Sequence, residues 1–303
     1  MILVAGSANL DFVVRADHIP APGETVLGRE FKTFPGGKGA NQAIACARAG
    51  AAPTTMLLAL GNDAFAVPLE ESLNASGVAL HIKRAAGHPT GTAFICVSDD
   101  AENAITVAPG ANNTLRPDDL PPLQGFSHLL LQLETPLESV AAYAAAAQAS
   151  GVKVALNAAP AQTLPDELLK LIDILMVNEG ELTAISNRQG SLEDKLESLQ
   201  VPCVVVTLGS RGALARVDGQ LFKQAAYPVT PIDTTGAGDT FCGAFVAALS
   251  CGLDVKQALQ QASAAGALAC TKAGAQSSIP THAEVQSFLK NQAQHDAAVP
   301  YAN

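Results

Sequence analysis

The sequence predicts an α/β fold: a mainly parallel central β-sheet with helices on both faces, accompanied by a small separate β-sheet. Three observations predict it. From residue 128 onward short apolar runs alternate strictly with helix-like segments, the βαβ pattern of a parallel sheet covered on both sides. The runs are continuously apolar, as doubly buried strands are. Polar residues gather just past their ends, at Glu134, Asn157, Asn178-Glu179 and Thr207-Leu208-Gly209-Ser210-Arg211-Gly212, where open α/β sheets bind ligands.

In chain order, residues 2–5 read as the first buried strand, and Gly6-Ser7-Ala8-Asn9-Leu10-Asp11 follows it. Asn9 and Asp11 emerge at that strand's end, either as ligand contacts or as an Asx turn. Residues 25–34 mix apolar and charged side chains, as a partly exposed strand does. Phe34-Pro35-Gly36-Gly37-Lys38-Gly39-Ala40-Asn41-Gln42 then enters an Ala-rich helix reaching about Ala49. Its three glycines either let the backbone approach a small polar ligand or simply turn the chain beside a solvated lysine. Runs at 92–97 and 104–108 flank Ser98-Asp99-Asp100-Ala101-Glu102-Asn103, a hairpin with a polar tip. With residues 25–34 they make the small sheet, whose apolar face needs cover. The later strands fall at 128–133, 152–156, 174–177 and 203–207, with a helix at 137–149.

A β-like run at 227–232 leads into Asp233-Thr234-Thr235-Gly236-Ala237-Gly238-Asp239-Thr240-Phe241, after which Phe241, Phe245 and Leu249 recur at i+4. That reads as strand, glycine turn, helix. The glycines let several N–H groups at the helix start converge on one anion. Asp239 is then either a first-turn cap or the carboxylate that accepts a proton from an attacking hydroxyl while the amides hold a phosphoryl group. No Gly-x-x-x-x-Gly-Lys-Ser/Thr loop occurs, and Gly236 and Gly238 lack the third glycine of a dinucleotide site. An Ala-rich helix at 254–272 stops at Ala273-Gly274-Ala275 with Pro280 beyond, and residues 291–303 read as a loose tail.

Composition narrows the partners. A chain of 303 residues, 48% hydrophobic, suffices for one large α/β domain with a small appendage. Lys+Arg 18 against Asp+Glu 28 leaves a net charge of −10, which argues against nucleic acid or an anionic membrane as a standing partner. With no Trp and 3 Tyr, base-stacking surfaces are not expected. Cys46, Cys96, Cys203, Cys242, Cys251 and Cys270 lie scattered, without a Cys-x-x-Cys or a Cys/His cluster, as buried thiols in a reducing cytoplasm do. The start, Met1-Ile2-Leu3-Val4-Ala5-Gly6, lacks the basic region of a signal sequence, and no apolar run approaches a membrane span.

The segment around Asp239 resembles the C-terminal signature Asp-Thr-x-Gly-Ala-Gly-Asp of the ribokinase-like carbohydrate kinases, the phosphofructokinase-B superfamily. Gly36-Gly37-Lys38-Gly39-Ala40-Asn41 matches that family's N-terminal signature, and residues 132–140 and 207–212 are similar as well. The likeness spans roughly residues 1–290 and implies the ribokinase-like fold as a single domain, with a lid sheet from about 12–34 and 92–108 over the sugar. It implies ATP-dependent phosphorylation of D-ribose at O5. Asn9, Asp11, Gly37, Lys38, Asn41 and Glu134 would hold sugar hydroxyls, with Asp239 as base and Gly236, Ala237 and Gly238 as the anion hole. Asn178, Thr207, Gly209, Ser210, Arg211, Gly212 and Gly238 would hold ATP, Mg²⁺ riding on its phosphates, and Ser263 would line the adenine pocket where relatives often carry a larger side chain. Asp233, Thr235, Ala269, Lys272, Gly274 and Ser278 match a potassium site built mostly from carbonyls. The lid would pair with a second subunit's lid in a homodimer. The alternatives are a kinase for 2-deoxyribose, fructose or adenosine, and a silent sugar or nucleotide sensor. A sugar-phosphate kinase would want an added cation by the glycine loop, where only Lys32 and Lys38 lie.

Overall fold

The computed structural model describes residues 1–100 and 102–298. The first apolar run is β1 (Ile2–Ala5), buried throughout. After Gly6, Ser7 and Ala8 the chain enters β2 (Asn9–Arg15), in which Leu10, Phe12 and Val14 alternate with Asn9, Asp11 and Val13. Asn9 and Asp11 thus lie inside a second strand, not in a turn beyond the first. β3 (Glu30–Gly36) begins later than the expected residue 25, because a strand lasts only as long as its partner, and Glu30 pairs with the last residue of β2, Arg15. Then come α1 (Lys38–Arg48), β4 (Thr54–Leu60), α2 (Ala66–Ala75) and β5 (Ala79–Arg84). β6 (Gly91–Val97) and β7 (Asn103–Ala108) pair antiparallel, with Ala101 of their tip outside the described residues.

The alternating half holds β8 (His128–Leu131), α3 (Leu137–Ala149), β9 (Lys153–Asn157), α4 (Asp166–Leu169), β10 (Ile174–Asn178), α5 (Glu179–Ser186), α6 (Leu192–Glu197) and β11 (Cys203–Thr207). β12 (Ala213–Val217) and β13 (Gln220–Gln224) form a hairpin on Asp218 and Gly219, both at positive φ, as an Asp-Gly turn requires. No strand forms over 227–232. Pro228 and Pro231 remove ladder donors there, and Ile232 N–H instead donates to Cys270 O at 2.8 Å. α7 (Ala237–Ser250), α8 (Val255–Ala269), α9 (Ala275–Ser278) and α10 (His282–Ala298) complete the chain. The loose tail expected from residue 291 is helix as far as Ala298, since its Ala and Gln content favours helix; residues 299–303 lie outside the described residues.

The main sheet has the order β13-β12-β11-β10-β9-β8-β1-β4-β5 and is parallel except at the β12 and β13 edge. Alternate residues feed two cores. Ile2 and Val4 join α1, α7 and α8 on one face, while Leu3 and Ala5 join α3, α5 and α6 on the other. A second sheet, β3-β2-β6-β7, grows directly out of β1 through residues 6–8. Among the described residues no helix is long and apolar enough to cross a membrane.

One contact in this frame positions everything that follows. α1 and α7 cross so closely that a Cβ on Gly243 would sit 2.5 Å from the Gln42 carbonyl oxygen and 2.6 Å from Ala45 Cβ. Only glycine fits there, and the crossing brings the start of α1 against the start of α7. The cysteines divide by depth. Cys46, Cys203 and Cys242 are buried and Cys96 and Cys270 partly so, but Cys251, at the C-terminal end of α7, is exposed, contrary to a wholly buried set. Burial pushes the Cys203 thiol up to about 12, which keeps it unreactive.

Candidate active site

At the start of α7, Gly236 adopts φ 74°, the left-handed region, and packs against Ala275. A Cβ there would be strained as well as crowded. The N–H of Ala237 is spent on Thr234 O at 3.2 Å, so this residue does not fill the anion-hole role expected of it. The N–H groups of Gly236, Gly238 and Asp239 have no acceptor among the described residues, and a Cβ on Gly238 would meet only open space. Three unpaired donors therefore face a cavity at a helix N-terminus, an anion site by geometry.

Asp239 occupies the third position of α7 but makes no capping bond. Its carboxylate is held from α1 instead: Asn41 Nδ2 donates to Oδ2 at 3.0 Å and Gln42 Nε2 to Oδ1 at 2.9 Å. Both amides are buried, so the carboxylate is aimed by groups that cannot themselves swing into water.

On one side of Asp239 lie the groups expected to bind hydroxyls. Glu134 Oε2 accepts from Ser7 Oγ at 2.5 Å and from Lys38 N–H at 3.1 Å. Asn9 Oδ1 accepts from Asn112 Nδ2 at 2.8 Å, and Asn112 in turn is fixed by Ala8 N–H at 3.1 Å. Gly37, at φ 90°, lies so near β2 that a Cβ would sit 2.7 Å from Asn9 N, so the glycine loop closes on the strand carrying Asn9 and Asp11. Burial pushes the Asp11 carboxyl up to about 7, and the negative charges of Glu134 and Asp239 add to the shift. The Lys38 ammonium is held above its ordinary value, chiefly by Asp239, against burial and with help from Glu134 and Glu181. Lys38 is thus no solvated loop lysine but the counter-charge of a carboxylate cluster.

On the other side two cavities, of about 170 and 470 Å³, share Thr207 and Gly238 in their walls. The smaller is lined by Lys38, Asn157, Asn178, Glu181 and Asp239. The larger is mostly apolar, with Tyr227, Val229, Phe241 and Ala267, and carries Gly209, Ser210, Gly212 and Ser263. Its mostly apolar lining suits a flat heteroaromatic ring, and Ala237 and Gly238 of the helix start are part of that lining. Asn178 spends its side-chain oxygen on Glu181 N–H at 2.8 Å in a capping box for α5. Arg211 lines neither cavity. It is exposed and paired with Glu179, so of the residues expected at the nucleotide it is the one turned elsewhere.

The predicted cation loop is partly assembled. Asp233 accepts from Thr235 N–H and from Gly274 N–H, both at 2.9 Å, tying the turn before α7 to the loop before α9. Partial burial works to raise the Asp233 carboxyl, but the bonds from Gly274 and Thr235 prevail and hold it below its ordinary value. Lys272 turns its ammonium to Glu284 at 2.9 Å, leaving only its carbonyl for such a site, and the Ala269 carbonyl already accepts Lys272 N–H at 3.3 Å. Ser278 Oγ donates to Ala275 O, which leaves its lone pairs free.

Ser7, Gln42, Asn112, Gln132 and Glu181 belong to this site but were not among the predicted site residues. For Gln42 a signal existed: an amide pair, Asn41-Gln42, inside an otherwise Ala-rich apolar helix is unexplained unless it is hydrogen-bonded. For Ser7, Asn112 and Gln132 the partners are remote in sequence.

The pattern of the pfkB family carbohydrate kinases matches residues 1–282. The ribokinase of Haemophilus influenzae is 40% identical over 303 residues, covering 96% of this chain and 98% of that protein. Among solved structures, ribokinase from Thermotoga maritima superposes with a TM-score of 0.88 at 38% identity, covering 96% of this chain and 99% of its own. Arabidopsis thaliana ribokinase complexed with ribose and ATP gives 0.88 at 34% identity, covering 95% and 98%.

Proposed function

The chain belongs to the pfkB family of carbohydrate kinases, and from that premise we propose that it transfers the γ-phosphoryl group of ATP to O5 of D-ribose, giving D-ribose 5-phosphate and ADP. The observation that carries the reading is the position of Asp239: an amide-held carboxylate that interacts with Asp11 and Lys38 and lines, with Lys38, the cavity faced by the free N–H groups of α7. Asp239 takes the proton of the 5-hydroxyl as O5 attacks the γ-phosphorus and the bond to the ADP oxygen breaks. The N–H groups of Gly236, Gly238 and Asp239 take up charge on the phosphoryl oxygens, and Lys38 balances the carboxylates on the sugar side. Asn9, Asp11, Asn41 and Glu134, with the Gly37 backbone, hold the other hydroxyls. The purine lies in the larger cavity against Gly209, Ser210, Gly212 and Ser263, with Thr207 and Asn178 toward the phosphates.

Among the described residues no three His, Cys, Asp or Glu side chains gather to hold a metal. Magnesium would be carried on the nucleotide phosphates, with Glu181 a further carboxylate of the smaller cavity, and it would supply charge neutralisation there. Asp233, with the carbonyls around Thr235, Ala269, Lys272 and Gly274 and the hydroxyl of Ser278, offers hard oxygen donors suited to potassium, which would stiffen the turn entering α7. The second sheet serves as lid and as the contact between two subunits: Phe31, Phe94, Ile105 and Val107 are exposed on it and want an apolar partner. The six cysteines, all free, are consistent with the reducing cytoplasm proposed for this chain.

A coupled ADP-release assay with ribose, 2-deoxyribose, fructose and adenosine tests the reading, run in potassium, sodium and tetramethylammonium at matched ionic strength. Ribose should give the highest kcat/KM, and potassium the highest rate. A better sugar would displace ribose, and equal rates in the three salts would remove the cation site.

A further inference from the structure

The groups behind Asp239 form a one-way chain of amides. Met176 O, a backbone carbonyl on β10, can only accept, and it accepts Asn157 Nδ2–H at 3.1 Å. That turns Asn157 Oδ1 toward Gln42, whose Nε2 donates to it at 2.9 Å. The same Nε2 donates its second proton to Asp239 Oδ1, also at 2.9 Å. Gln42 Oε1, at the far end of the amide, accepts Gln132 Nε2–H at 2.7 Å. Gln42 and Gln132 are fully buried, and Asn157 nearly so. Gln132 Oε1 has no partner among the described residues and lies where any Cβ on Gly6 would strike it, 1.9 Å away, so this side chain is wedged in place.

Each amide could in principle present either end, but here the orientation propagates from a group that has no choice. Gln42 must therefore show Asp239 a donor. A flipped Gln42 would face both Asp239 and Asn157 with its oxygen, and two buried acceptors would stand against one another. The need is greatest at this spot, because Asp239 meets the carboxylates of Asp11 of β2 and Glu181 of α5, with Glu134 after β8 beside Asp11, Lys38 of α1 as the one cation among these groups and the Cys242 thiol nearby.

We propose that Gln42 is a positioning residue, locked by Asn157 and Gln132, that aims the Asp239 carboxylate at the attacking hydroxyl and keeps it the proton acceptor of the site. This deepens the kinase reading and rests on it. Gln42 touches neither cavity wall, so its effect reaches the substrate only through Asp239.

The test is a double-mutant cycle in the full-length protein: Gln42→Met alone, over Asp239→Asn, and Asp239→Asn by itself, with kcat and KM for ribose and ATP measured by ADP release and folding checked by thermal melting. Gln42→Met should lower kcat about 10- to 100-fold, the span of one charge-assisted hydrogen bond. Both KM values should stay within about threefold, and over Asp239→Asn the same change should cost nothing further. Gln132→Met, which leaves Gln42 present but unlocks its carbonyl end, is the second variant should Gln42→Met not fold. It should lower kcat by less, again only when Asp239 is intact. Unchanged kcat in the variants, a loss confined to KM, or an equal loss with and without the Asp239 carboxylate would overturn the inference while leaving the kinase reading standing. A wild-type protein that turns over no sugar would overturn both.

Discussion

Asp239 stands on α7, where residues 240–248 are all buried, whereas Asp11 stands on β2, in a sheet whose outer strand β7 is exposed along its whole length. The first carboxylate is gripped by two buried amides and backed by a helix crossing that tolerates nothing larger than glycine at position 243. The second is half-buried and carries a raised pKa, chiefly because burial disfavours its charge and secondarily because Glu134 and Asp239 repel it. A base must be aimed before the substrate arrives, so the role proposed for Asp239 suits the more buried layer. Asp11, proposed to read sugar hydroxyls, would gain those partners only when sugar binds, and it sits in the more exposed of the two sheets.

The largest effect that would break this comparison is at the buried end. Asp239→Asn should lower kcat about 10²- to 10⁴-fold with little change in ribose or ATP binding, the usual worth of a positioned base. Near wild-type turnover in the ADP-release assay would mean that this carboxylate takes no proton.

A smaller effect is expected at Asp11, and in binding rather than turnover. Charge-assisted bonds from sugar hydroxyls are worth about 1.5 to 3 kcal/mol each, so Asp11→Ala should cut kcat/KM for ribose about 10- to 100-fold and narrow the preference over 2-deoxyribose. An unchanged preference would show that Asp11 does not read the hydroxyls it is assigned. The pH dependence has a definite sign. With its pKa raised from 3.8 to about 7, Asp11 keeps its proton in the free folded protein across the range where the unfolded chain has lost it, so this group's contribution to stability falls as pH rises from about 4 to 7. Hydroxyl donors favour the ionised form, so sugar binding near neutrality should release a proton and tighten as pH rises toward 7. Calorimetry in buffers of different ionisation enthalpy would register that proton. No release, or the same release from Asp11→Asn, would refute the assignment.

The smallest effect on chemistry is expected at the far end of the lid. Replacing Ile105 and Val107 by Ser should shift a dimer toward monomer in sedimentation while kcat changes by no more than a few-fold, since neither residue lines the cavities at Asp239. A sedimentation profile identical to wild type would place the subunit contact elsewhere.

How much of this was legible in the chain follows from which interactions are local. Continuous apolar runs and the i+4 spacing after Gly238 are local, and they specified the strands at 2–5 and 203–207, the helix at 137–149 and the glycine turn entering α7. The Asp218-Gly219 hairpin carries an equally local sign, while Pro228 and Pro231 argue against any strand over 227–232. What stayed hidden depends on partners far along the chain. Asn9 and Asp11 became strand residues because β3 and β6 were there to pair with β2, a decision no window around residue 10 contains. Asp239 looked equally suited to capping its own helix, and only the crossing of α1 over α7, which brings residues 41 and 42 against residue 239, gave its oxygens better donors than the first turn. Residue type and spacing determined which side chains could do chemistry. Packing decided which of them meet, because a hydrogen bond between residues separated by two-thirds of the chain exists only after the core that brings them together has formed.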